Sequence, residues 1–141
     1  MNANMEELVR DLDAAWASWD VERVISYFTD DCLYEDLAVG AVKKGKKEVS
    51  DFLREFSVGF PDVRVEFTGH CFSNDRLCFE WIMTGTNSGD RPGKPATGKR
   101  FSIRGVSVAE FSGGKIARQT DYYDMVTFLR QLDMFPPAPQ G

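Results

Sequence analysis

The chain has 141 residues, enough for one hydrophobic core and too few for two. Hydrophobic residues make up 43% and charged residues 28%, which excludes disordered and collagenous composition, and no apolar run approaches the ~20 residues that span a bilayer. A net charge of −5 and a sequence pI near 4.9 set up a field that repels a phosphate backbone, so neither nucleic acid nor a membrane is an expected partner.

From Met5 the apolar residues Leu8, Val9, Leu12, Ala15, Trp16 and Trp19 recur at three- and four-residue steps, the stripe of an amphipathic helix. The same opening carries acids from Glu6 onward and no basic segment before an apolar block, so it does not read as a secretory signal, and a cytoplasmic location is the expectation. A second helix is expected from Val21 to about Phe28. The segment from Asp31 to Leu37 reads as a short strand whose alternation puts Cys32, Tyr34 and Asp36 on one face. Lys43, Lys44, Lys46 and Lys47 around Gly45 read as a solvated turn into a third helix, marked by Val49, Phe52, Leu53 and Phe56 and stopped by Gly59 and Pro61.

Beyond Pro61 the period changes from 3.6 to 2. Val63, Val65 and Phe67 alternate with Arg64, Glu66 and Thr68; after the Ser73-Asn74-Asp75 turn comes a strand from Leu77 to Thr86. Residues 87–98, NSGDRPGKPATG, are a loop. A long strand from Lys99 to Phe111 turns at Ser112-Gly113-Gly114 into a last strand from Lys115 to about Tyr123, and Asp124 suits the N-cap of a closing helix. A single domain over 1–135 with a flexible tail at 136–141 is expected. Helices followed by a meander give an α+β fold: three N-terminal helices packed in a strongly curved antiparallel sheet, a cone-shaped barrel around a cavity, with a short C-terminal helix.

Cys32, Cys71 and Cys78 lack a C-x-x-C spacing and sit in apolar runs, so buried reduced thiols are expected. His70 is the sole histidine; no metal and no cofactor are expected. Ile82 and Ile103 are read as outward-facing, which makes the convex side of the sheet partly apolar and a homodimer through it the expectation.

Several motifs are similar to those of the nuclear transport factor 2-like superfamily, in particular its SnoaL-like polyketide cyclase and ketosteroid isomerase branches. Residues 28–40, FTDDCLYEDLAVG, resemble the ketosteroid isomerase stretch whose last Asp is the general base; Asp36 matches it, with Leu37 where that family has Pro. Residues 84–99, TGTNSGDRPGKPATGK, and 113–124, GGKIARQTDYYD, resemble SnoaL-like segments, and Asp121 matches the catalytic acid/base of the second. The positions that hold an oxyanion in the isomerases carry Leu12 and, roughly, Ser107. The ending also resembles limonene epoxide hydrolases, with Tyr34, Asp36 and Asp121 on matching positions, but their Arg and second Asp fall at about Trp81 and Met83, which can do neither job.

The resemblance implies a cofactor-independent isomerase or cyclase that moves protons with aspartates in an apolar pocket. Asp121 is the principal acid/base, Asp36 the second carboxylate and Tyr34 the hydrogen-bond donor. Trp16, Trp81, Met83, Ser107 and Tyr123 are expected to bind a hydrophobic small-molecule substrate or ligand. Two bland accounts compete: Asp121 as the ion-pair partner of Arg118 or Arg104, and a non-catalytic ligand-binding or dimerisation module. Asp124, turned to the opposite face from Asp121, is explained by helix capping.

Overall fold

A computed structural model describes residues 3–135. The tail expected at 136–141 lies outside the described residues. Helix α1 (Ala3–Ser18) leads through Trp19, in the left-handed region at φ 51°, to α2 (Val21–Ile25), whose Asp20 cap accepts the Arg23 N–H at 3.2 Å. Strands β1 (Phe28–Asp36) and β2 (Ala41–Lys44) precede α3 (Gly45–Gly59). Strands β3 (Arg64–Ser73), β4 (Arg76–Thr86), β5 (Arg100–Ser112) and β6 (Lys115–Tyr123) follow, and α4 (Met125–Gln131) closes the chain. The six strands form one sheet in the order β2-β1-β6-β5-β4-β3, with β1 parallel to β6 and the other neighbours antiparallel.

Three boundaries differ from the expectation, each for a local reason. Helix α2 stops at Ile25, short of Phe28, because the Ser26 hydroxyl bonds back to Arg23 O at 2.6 Å and the Tyr27 carbonyl accepts from Ile116 N at 2.8 Å, which draws the chain into the sheet. Strand β1 therefore begins at Phe28 rather than Asp31. Strand β2 carries no buried face, so alternation does not reveal it; backbone pairing of Lys43 with Tyr34 and of Ala41 with Asp36 makes it a strand. The four lysines read as a turn are instead divided between β2, with Lys43 over the Phe52 ring at 5.5 Å, and the first turn of α3, with Lys47 paired to Asp51 at 2.9 Å and Lys46 to Asp30 at 3.4 Å.

Two orientations are corrected. Ile103 is opposite the inward Met83 in the β4–β5 register and is buried, because directly opposed residues share a face of the sheet; Ile82, one step out of phase, is half-buried on the convex side. Of the three cysteines only Cys32 is buried. A bulge between Phe67 and Gly69 flips the parity of β3, so Phe72 turns toward the helices and Cys71 to solvent, opposite the half-buried Cys78.

The core lies between the helices and the concave face of the sheet. Leu12, Ala15, Val49 and Leu53 pack over Phe28, Cys32, Leu77 and Ile116. Phe60, Phe101 and Phe128 meet with ring centroids 4.8 to 5.7 Å apart, tying the C-cap of α3 to β5 and α4. Each such ring, fully buried, contributes roughly 1.5–3 kcal/mol.

Candidate active site

The inward positions of β1, β4, β5 and β6 converge on a cavity of about 70 Å³ roofed by α1 and α3. Strand parity places Trp81 and Met83 on β4, Ser107 on β5, Gln119, Asp121 and Tyr123 on β6, and Tyr34 and Asp36 on β1; Trp16 comes from α1 and Phe52 and Phe56 from α3. Asp36, Phe52, Phe56, Met83 and Tyr123 also line a wider vestibule of about 490 Å³ toward α4 and the 87–98 loop. The candidate residues Trp16, Tyr34, Asp36, Trp81, Met83, Ser107, Asp121 and Tyr123 thus all line one cavity.

The two carboxylates meet because β1 runs beside β6 with Asp36 opposite Asp121, while Ser107 is opposite Asp121 from the other side. Asp121 is 8% exposed and Asp36 6%. Ser107 Oγ donates to Asp121 Oδ1 at 2.6 Å, Gln119 Nε2 donates to the same oxygen at 3.0 Å, and the Tyr34 hydroxyl donates to Oδ2. Trp81 Nε1 donates to Ser107 Oγ at 2.9 Å, which commits the serine proton to Asp121. Asp36 accepts from the Tyr123 hydroxyl at 2.9 Å and from Val39 N at 3.2 Å. Two tyrosine–aspartate pairs therefore face the same space.

Burial pushes the Asp121 carboxyl above the ordinary carboxylate range; the donors Ser107, Tyr34 and Gln119 oppose it, and the charge of Asp36 adds to it. Burial likewise raises Asp36 against the pull of Tyr123 and the backbone N–H groups of Val39 and Ala38. Tyr34 and Tyr123 are driven far up by burial and by the neighbouring carboxylates, so both stay protonated donors at neutral pH. Neither arginine proposed as a partner for Asp121 fills that role: Arg118 pairs with Glu35 at 3.6 Å, and Arg104 lies on the convex side. Asp124 caps α4, accepting from Thr127 N at 3.0 Å. Leu12 is fully buried in the core and does not reach the cavity lining.

Sequence reasoning missed Gln119 and Gly105. Gln119 shares the parity of Asp121 and Tyr123, so the alternation of β6 carries the signal. At Gly105 an added Cβ would stand 2.3 Å from Trp81 Cη2, so a larger residue would push the indole from the position in which it reaches Ser107. Among the described residues, no cluster of three His, Cys, Asp or Glu side chains could hold a metal ion.

The SnoaL-like polyketide cyclase family model matches residues 6–132. Cyclase aurE of Calcarisporium arbuscula is 28% identical over 105 residues, 73% of this chain and 74% of that protein. AclR of Streptomyces galilaeus superposes with a TM-score of 0.82 at 24% identity, covering 98% of this chain and 90% of the other. TsrD of Streptomyces laurentii gives 0.80 at 20% identity, covering 96% and 98%. With the match running from the first helix to the end of the last, the chain belongs to the SnoaL-like polyketide cyclase family.

Proposed function

We propose that this chain is a cofactor-independent cyclase or isomerase for a hydrophobic carbonyl compound, with Asp121 as the acid/base. The observation that carries the reading is a buried carboxylate without a cation, held by three donors at the wall of an apolar cavity. A carboxylate so placed is costly to the fold unless it has a task.

The chemistry follows from the positions. Asp121 removes a proton from the carbon next to a carbonyl; the C–H electron pair becomes the enolate double bond, and the carbonyl π pair moves onto oxygen. In a cyclisation the enolate carbon attacks a second carbonyl, and the resulting alkoxide takes the proton back from Asp121. In an isomerisation the proton returns to a different carbon. Tyr34 holds the carboxyl in place and, as a protonated hydroxyl, follows its charge. Asp36, gated by Tyr123 at the border of cavity and vestibule, is the second proton site. Trp81, Met83 and the α3 phenylalanines form the apolar walls, and because Trp81 and Met83 bear no ionisable group, epoxide opening by an Asp-Arg-Asp set has no residues here.

Acetophenone, a single-ring ketone, tests this reading. In deuterated buffer the protein speeds exchange of its methyl protons, followed by proton NMR, and Asp121→Asn reduces that acceleration about 1,000-fold, within the range for loss of a general base. Full exchange by Asp121→Asn would overturn the assignment.

A further inference from the structure

Among the side-chain nitrogen and oxygen atoms buried in the lining of the inner cavity, two have no partner. Trp19 Nε1 is spent on Leu53 O at 3.1 Å, Trp81 Nε1 on Ser107, and the hydroxyls of Ser107, Tyr34 and Tyr123 on the two aspartates. Gln119 has committed its amide N–H to Asp121. Two atoms are left with no partner at all, the donor Trp16 Nε1 and the acceptor Gln119 Oε1, both buried. Trp16 is 4% exposed and Gln119 1%, and both line the cavity. An orphaned buried polar atom destabilises the fold unless a ligand or water completes it.

The orientation of the glutamine amide is not free. Turned over, it would set its oxygen against Asp121 Oδ1, which already accepts from Ser107; the Trp81–Ser107–Asp121 chain therefore fixes Oε1 as the open acceptor. The open pair is thus complementary to a ligand with one acceptor and one donor.

We propose that Trp16 Nε1–H is the oxyanion donor of this site and that the substrate is a hydroxy-carbonyl compound whose carbonyl oxygen faces Trp16 and whose hydroxyl donates to Gln119 Oε1. This rests on the proton-transfer reading above. When Asp121 takes the proton, negative charge grows on the carbonyl oxygen, and a neutral donor already desolvated beside it strengthens at that moment. The positions that match the oxyanion holders of ketosteroid isomerases carry Leu12 and, roughly, Ser107; Leu12 cannot donate and Ser107 has already donated. Trp16 lies one helical turn beyond Leu12 on α1, so the same face of the helix supplies the donor from a different position.

Two readouts on acetophenone separate this inference from the one it rests on. The carbonyl stretch of the bound ketone, by infrared difference spectroscopy, falls below its value in hexane, and in Trp16→Phe it returns. Methyl-proton exchange falls about 100-fold in Trp16→Phe with ketone affinity changed less than about 3-fold, as for loss of an oxyanion donor. If Asp121→Asn leaves exchange intact while Trp16→Phe still abolishes the infrared shift, the acid/base assignment fails and the donor stands. If Trp16→Phe alters neither readout, Trp16 is a core residue completed by water and the inference fails. Should Trp16→Phe not fold, the indole N–H proton of Trp16 in the unaltered protein decides: it moves downfield on adding acetophenone, and an unmoved resonance, or a ketone that does not bind, overturns the proposal. For Gln119, the best ring-hydroxylated acetophenone binds about 10-fold tighter than acetophenone, and Gln119→Met removes the difference; equal affinities in the unaltered protein contradict the hydroxyl half.

Discussion

Asp121 and Asp124 are three residues apart at the end of one strand and live under opposite physics. Asp121 points into the cavity, and burial lifts its carboxyl above the ordinary range despite three donors. Asp124 is at the surface turn, where the Thr127 hydroxyl and backbone N–H hold its carboxyl below that range. The same contrast recurs in a second pair: the Thr86 N–H and hydroxyl hold the Asp62 carboxyl below the ordinary range, whereas burial raises Asp36 on the concave face. Residue type does not distinguish the proposed acid/base, Asp121, from the helix cap, Asp124. Parity and burial do.

The largest effect on this contrast is expected from Gly105→Ala, since the new methyl drives Trp81 off Ser107 and loosens the donor chain to Asp121. Overpacking of this kind costs roughly 1–3 kcal/mol in chemical denaturation, and acetophenone exchange falls with it. A variant as stable and active as the parent would show that the Trp81–Ser107–Asp121 chain does not position the carboxylate.

The pH dependence of stability comes next. Asp36 and Asp121 have folded-state pKa values raised above those of the unfolded chain, so the folded form binds more protons between the two values. Their contribution is therefore most favourable below about pH 4 and is lost as pH climbs through the raised folded values. Denaturation of Asp36→Asn/Asp121→Asn across that interval should lack this decline. The exchange rate should move the opposite way, rising as Asp121 ionises.

Smaller effects are expected outside the cavity. Asp124→Ala removes an N-cap and lowers the urea midpoint, with exchange unchanged; a fall in exchange would mean that the cap and the cavity are coupled. Glu35→Gln breaks a half-exposed pair with Arg118 and should cost less than about 1 kcal/mol. A larger loss would mark the outer side of β1 and β6 as part of the support for the site.

Much of this arrangement was legible in the chain. The period of 2 in β4, β5 and β6 carries the strands and the inward faces that bring Trp81, Ser107, Asp121 and Tyr123 together. The spacing of Trp16 on α1 and Phe52 on α3 carries the roof. Strand β2 was hidden because an edge strand without a buried side has no hydrophobic alternation to show. The side that Cys71 takes was hidden because a bulge changes parity without changing composition. Ile103 was misread although its neighbour Phe101 shares its parity; strand alternation, followed consistently, buries both. Gln119 and the open N–H of Trp16 depend on counting partners in three dimensions, and no linear pattern contains that count.

The role proposed for the cavity depends on burial holding the Asp121 carboxyl above the ordinary range while Asp124 is held below it. Carbon-13 NMR of aspartate carboxyls across a pH titration measures this directly. Asp121 should titrate above the ordinary aspartate range and Asp124 below it; an Asp121 that titrates at or below Asp124 would contradict this.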